Sequence, residues 1–246
     1  MVDCEEISRL YVSVLQEHIA DNRVNTADIR IGIQNMKEVY KPDPTYLSST
    51  VVDVANYNDV AHRCAYLHKY APLHTALVAE MLGRAILQDP QLYKELIHNN
   101  NSGSFNLCCL GGGPGTDVIG VLSVLNTCFG LFQISATIID CMVNWNETFA
   151  SMVSELRYGN YGSLGDSVSE QYFQWNYLEH NLLGKMTDQV NRAISRAHLI
   201  TMVKFVSASA CKDTPMMIKV TFVMDTNLFN YSFYSLTNSC LIHFTH

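Results

Sequence analysis

The ten residues CCLGGGPGTD (108–117) constrain this chain more than any other stretch. They set four of its thirteen glycines and one of its six prolines directly behind an apolar run, Phe105–Leu110. Glycine carries a backbone-entropy cost in regular structure. Such a cluster therefore marks a tight turn, or a place where something approaches the main chain closely. A short apolar run is the signature of a buried parallel strand. Behind the glycines, Val118, Ile119, Val121, Leu122, Val124 and Leu125 read as a helix. In a strand, glycine turn and helix, the first helical amides are unpaired and aimed at the crevice beyond the strand ends. Those amides and the helix dipole suit a polar or anionic ligand, and the missing side chains let it lie on the backbone.

The pattern then repeats its alternation. ISATIID (134–140) is a second strand that ends in an acid, and residues 145–156 are helical. YGNYGSLGD (158–166) reads as a loop, 171–177 as a third strand, 186–196 as a helix and 198–206 as a fourth strand. Strands alternating with helices imply an α/β fold. It is a Rossmann-like, mostly parallel sheet with helices on both faces and right-handed crossovers. The first hundred residues differ. Ile7, Leu10, Tyr11, Val14, Leu15 and Ile19 recur at helical spacing. Thr26 is placed to cap a second helix ending at Val39. KPDPTYLSST (41–50) is a connector, and helical pattern resumes to about Asn99 with a break at Asp89-Pro90. The polar linker NNNSGS (99–104) sets the expected boundary between a helical N-terminal region, 1–104, and an α/β core, 105–246.

No lysine follows the glycines, so the phosphate-loop pattern is absent. The dinucleotide pattern GxGxxG fits poorly, because its third glycine would fall at Thr116. Gly111-x-Gly113-x-Gly115 followed by Asp140 resembles instead the first motifs of the class I S-adenosylmethionine-dependent methyltransferases. The resemblance spans residues 105–206. It implies that Leu110, Gly111, Gly112, Gly113, Pro114 and Gly115 hold the methionine part of S-adenosylmethionine. It also implies that Asp140, with Cys141 beside it, takes the ribose hydroxyls. A carboxylate suits a vicinal diol because it accepts two hydrogen bonds. Trp145 either packs on the adenine or belongs to the core. The family often carries an acid two residues before the first glycine, where this chain has Cys109; Asp117 is a candidate substitute and equally a helix-dipole residue. Glu179 and Asn181 are both candidates for the acid after the third strand. Related enzymes use a helical N-terminal segment as a lid or substrate wall. Tyr66, Tyr70 and His74, spaced by four, are its candidate substrate-pocket residues or amphipathic packing. Pro72 is expected to kink their segment. Ser207 and Ser209 follow the fourth strand, where relatives place substrate-facing residues, but no Asp/Asn-Pro-Pro-Tyr motif is present.

Composition narrows the partners. A net charge of −7 without a Lys/Arg-rich run gives no strong electrostatic signature for nucleic acid. The acidic start MVDCEEISRL lacks the apolar segment of a secretory signal. No stretch reaches the roughly 18 apolar residues of a membrane span. Eight cysteines without a CxxC pair read as reduced thiols of a cytoplasmic protein, with the nucleus as the other compartment. His62, His68 and His74 are turned by about 240° from one to the next, so no metal site is expected. The methyl acceptor stays open between RNA, protein and a small molecule. The alternatives are a methyltransferase-like protein that binds cofactor or a partner without turnover, and an NAD-dependent oxidoreductase. After Val206 about forty residues remain, fewer than the remaining elements of such a core need, so a core incomplete at its C-terminus is expected.

Overall fold

The computed structural model describes residues 4–39, 55–98, 104–203, 231–236 and 239–244. Five helices come first: α1 (Cys4–Asn22), α2 (Thr26–Val39), α3 (Val60–Lys69), α4 (Ala71–Gln88) and α5 (Pro90–His98). The start of α2 corrects the expected cap. Asn25 is the capping residue: its Oδ1 accepts from the amides of Ala27 and Asp28, and Asp28 Oδ2 accepts from the Asn25 amide. This reciprocal pair is a capping box with an Asp in the third position, and Thr26 is merely the first helical residue. Pro72 also differs from expectation. It sits at the start of α4, where its missing N–H costs nothing, so it opens a new helix and kinks none. The connector 41–50 and most of the linker 99–104 lie outside the described residues.

The alternating part runs β1 (Phe105–Leu110), α6 (Thr116–Phe129), β2 (Ile134–Asp140), α7 (Trp145–Tyr158), α8 (Gly162–Ser167), β3 (Phe173–Glu179), α9 (Asp188–Ser195) and β4 (Leu199–Thr201). Two further strands follow, β5 (Tyr231–Leu236) and β6 (Ser239–Phe244). The stretch expected to be a loop at 158–166 thus holds the short helix α8. The third strand is displaced by two residues, because the turn from α8 extends to Tyr172, whose carbonyl pairs with Ile134. Among the described residues the sheet order is β3-β2-β1-β4-β6-β5. The first four strands are mutually parallel, and β6 joins β4 antiparallel as half of a hairpin with β5. The fold is α/β and Rossmann-like, as expected.

The period of two along β1 divides the interior. Phe105, Leu107 and Cys109 face a large core shared with α1, α4, α6 and α7, while Cys108 and Leu110 face a smaller one under α9. Helices therefore cover both faces, and the N-terminal helices share the larger core with the sheet. Helix α6 is buried from Thr116 through Leu125, because α4 covers the side turned away from the sheet. Gly120 allows that approach: a Cβ there would stand 2.8 Å from the Thr75 carbonyl and 2.9 Å from Val78 Cβ. Among the described residues, no helix is long and apolar enough to cross a membrane.

Candidate functional site

The candidate ligand position lies beyond the carboxyl ends of β1 and β2. Strand β1 leads through α6 to β2 on one side and pairs with β4 on the other, so the sheet changes direction at β1. That switch point is where open α/β sheets bind ligands. The turn between β1 and α6 is built on backbone bonds. The Gly111 amide donates to Ile139 O at 2.8 Å, and the Gly115 amide to Gly112 O at 2.8 Å. Gly111, Gly113 and Gly115 have φ of 65°, 49° and 79°, a region that disfavours any residue with a Cβ.

The space that the missing side chains leave is filled by the protein. A Cβ on Gly112 would stand 2.9 Å from Cys109 Cβ and from Ile138 Cγ2. One on Gly113 would lie 3.7 Å from Trp145 Nε1, and one on Gly115 would overlap the Phe149 ring. Pro114 is buried with them. The glycines let β1, β2 and α7 close tightly around the turn. The turn itself is buried from Gly112 to Gly115, and Gly111 is half-buried. Gly115 offers no side-chain cap, so the first-turn amides of α6 have no intrahelical acceptor.

Asp140 ends β2 beside that turn. Its Oδ2 accepts from the Gly113 amide at 3.0 Å and its Oδ1 from the Met142 amide at 2.9 Å. Burial raises its pKa, and the bonds from Met142, Gly113 and Cys141 act against that rise. Asp140 as a residue is half-buried. Cys141 is exposed; desolvation and the adjacent Asp140 push its thiol up to about 11, which favours the protonated form. Met142 and Val143 form the rest of this rim, with Val143 41% exposed. Tyr177 holds the rim from below by donating to Met142 O at 3.1 Å. On β3, Glu179 is the register partner of Asp140 and is exposed.

The remaining sequence candidates fall into the interior. Leu110 is fully buried on the α9 side, away from the turn's helix. Trp145 is 2% exposed and packs against Tyr57 and Tyr66, with ring centroids 4.9 and 5.3 Å away. Cys109 is wholly buried beneath Gly112, and burial raises its thiol well above the usual value. Asp117 is 3% exposed; burial pushes it up to about 6, and Thr201, Thr116 and the Val203 amide oppose the rise.

Tyr66, Tyr70 and His74 come together. The Tyr66 hydroxyl and His74 Nδ1 share a hydrogen bond of 2.7 Å, and the Tyr70 and His74 rings stack at 5.9 Å and 13°. Tyr66 and His74 are buried, while Tyr70 is half-buried and Leu73 beside it is 66% exposed. Through Trp145 this cluster touches the glycine turn. Ser207 and Ser209 lie outside the described residues.

Sequence reading missed the partners that fix the turn from behind. Tyr11 on α1 meets Thr75 on α4 at 2.6 Å, and Thr75 Oγ1 donates to Thr116 O at 3.2 Å. These residues are 64 and 41 positions apart, and no local pattern marks them.

No family model matches this chain, and no curated protein sequence does so. Among solved structures, it is similar to an O-methyltransferase family protein from Burkholderia thailandensis, at 12% identity and a TM-score of 0.42. That overlap covers 87% of this chain and 70% of the other. It is also similar to MtNAS in complex with MTA and tNA, at 14% identity and a TM-score of 0.33, over 98% of both chains. At such scores the reading of the site rests on its own residues.

Proposed function

We propose that this chain is an S-adenosylmethionine-dependent methyltransferase. The observation that carries the reading is one juxtaposition. The Asp140 carboxylate closes on the Gly113 amide at the mouth of a strand, GxGxG turn and helix, at the switch point of a parallel sheet. The residues fit the cofactor's chemistry. Asp140 presents two acceptor oxygens for the ribose diol, and the uncapped amides at the start of α6 suit the carboxylate of the methionine part. The rim of Met142 and Val143 offers apolar surface for the base. The cofactor supplies its methyl group as an electrophile on a sulfonium, so the protein's task is mainly to position the acceptor. Tyr70, with the exposed Leu73, forms the wall on which the acceptor is placed, and the buried Tyr66 and His74 hold it from behind. That acceptor is RNA, a protein or a small molecule.

One observation favours a second reading, binding without turnover. Cys109 stands where the family often carries an acid, and it is buried beneath the turn; Asp117, the candidate substitute, is buried too. Neither side chain reaches out to a cofactor amine.

Isothermal titration with S-adenosylhomocysteine, and with NAD alongside, tests the reading. Micromolar binding of the first and none of the second is expected. Binding of NAD alone would replace the methyltransferase with a nicotinamide oxidoreductase. Transfer of tritiated methyl from S-adenosylmethionine to fractionated RNA, protein and small-molecule pools then separates an enzyme from a binding protein.

A further inference from the structure

Behind the glycine turn lies a buried polar chain that the reading above does not use. Tyr11 donates to Thr75 Oγ1, since the Thr75 proton is committed to Thr116 O. Thr116 Oγ1 in turn donates to Asp117 Oδ1 at 3.3 Å. The chain joins α1, α4 and the first turn of α6, and it ends on a carboxyl group sealed from solvent. Asp117 Oδ2 has no hydrogen bond of good geometry, and neither has the nearby Thr201 Oγ1 at the end of β4. Two buried polar atoms held only by poorly aligned bonds, one of them on an acid, make an arrangement whose best pairing depends on a proton. An ionised Asp117 accepts from Thr116, Thr201 and the Val203 amide. A protonated one must donate, and donation through Thr201 reverses.

We propose that the protonation state of Asp117 sets the position of the glycine turn and, through it, the affinity of the crevice for an anionic ligand group. The proposal rests on the reading of the crevice as a site for S-adenosylmethionine. Geometry supplies the coupling. Asp117 is the second residue of α6 and follows Gly115 by two, so a shift of its carboxyl moves the turn on which Trp145 packs. Electrostatics supplies the sign. A negative charge in the first turn offsets the positive end of the helix and weakens its hold on a ligand carboxylate; a proton on Asp117 removes the offset. Burial places the change in a physiological range, since the carboxyl is pushed up to about 6.

Few other groups titrate against it. Among the described residues, Tyr11 faces Asp117 from α1 and Cys109 faces it from β1. Both are held neutral at pH 5–8 by burial, which raises Tyr11 well above its usual value as it does Cys109. From α4 comes Thr75, and from β4 come Thr201 and Val203, none of them ionisable. Among the described residues, Asp140, at the far side of the turn, is the other acid bonded to it.

The test has two arms. In the ligand-free protein, the indole N–H signals of the two tryptophans are followed by ¹H–¹⁵N spectroscopy from pH 5 to 8. The Trp145 signal is expected to move with a midpoint near 6 and to stop moving in Asp117→Asn. A flat wild-type signal overturns the proposal, and so does an unchanged titration in Asp117→Asn, which would assign the movement to Asp140. Should Asp117→Asn not fold, Asp140→Asn decides: the titration survives there if Asp117 is its source and vanishes if it is not. In the second arm, S-adenosylhomocysteine is titrated at pH 7.5 and pH 5. Asp117→Asn is expected to bind about three- to tenfold tighter than wild type at pH 7.5, with the difference gone at pH 5. Equal affinities at both pH values overturn the link to affinity. Failure of both proteins to bind sinks the reading of the crevice, while the indole titration still decides the role of Asp117.

Discussion

The amide of Gly113 donates to Asp140 Oδ2 across 3.0 Å, so the turn after β1 is tied to the last residue of β2 by one charge-assisted bond. The same carboxylate accepts from Met142 at 2.9 Å. Asp140→Ala removes the proposed diol-binding group and both ties. Affinity for S-adenosylhomocysteine should fall by about 10- to 100-fold, the worth of one or two hydrogen bonds to a charged group. Asp140→Asn keeps one acceptor oxygen and should lie between. Calorimetry on the three proteins checks this, with a melting curve to show that each is folded. Unchanged affinity in Asp140→Ala would remove Asp140 from the site.

Gly115 and Phe149 are in such contact that a Cβ on the first would overlap the ring of the second. The φ of 79° at Gly115 adds strain to any replacement. Gly115→Ala should cost about 3 kcal/mol, one part left-handed backbone and one part overpacking. Gly83 is the control. It sits inside α4 with nothing within 4 Å of a Cβ, so Gly83→Ala should stabilise by about 0.5–1 kcal/mol. Urea unfolding of both variants measures the contrast. Equal effects would mean that the turn is looser than its contacts indicate.

The alternation of the core was legible because its signals are local. The apolar run Phe105–Leu110, the glycines and the run ending at Asp140 each announce themselves within ten residues. The strand–turn–helix and the neighbourhood of Gly113 and Asp140 follow from them. The reasons for individual glycines were not legible, because they lie in distant residues. Gly115 answers to Phe149 and Gly120 to Thr75 and Val78, across elements that only the fold brings together. Trp145 shows the same limit. Its position after β2 fits a rim residue, yet Tyr57 and Tyr66, from a segment some eighty residues earlier, cover it. Helix α8 escaped notice because YGNYGSLGD carries the glycines and serines of a loop, and six residues are too few for a helical period. The Tyr66–His74 bond was half legible: spacing put Tyr70 with each of them, and the start of α4 at Ala71 turned the pair together.

Asn25 and Thr26 offer a direct test of the capping correction. Asn25 Oδ1 takes two amides of α2, whereas Thr26 is its first helical residue. Asn25→Ala should cost about 1 kcal/mol. Thr26→Ala should change stability by less than about 0.5 kcal/mol, because it trades a β-branched residue for a better helix former on an exposed surface. Chemical denaturation of the two variants decides between them. A larger loss at Thr26 would restore it as the cap.

Asp117 should leave its mark on stability as well as on the turn. Its carboxyl stands at about 6 in the folded protein against 3.8 ordinarily, with burial as the main cause. A raised pKa means that the folded state holds its proton more tightly than the unfolded chain does. The associated stability is fully present below about pH 4 and is lost as pH rises through about 6. A shift of about two units corresponds to about 3 kcal/mol. Wild type should therefore gain on Asp117→Asn by up to that amount as pH is lowered from 7 to 4. Asp140 is also raised, but it acts alike in both proteins and drops out of the difference. Urea midpoints at pH 7, 5.5 and 4 give the comparison. Parallel curves for the two proteins would show that the Asp117 carboxyl is not buried in the way the fold places it.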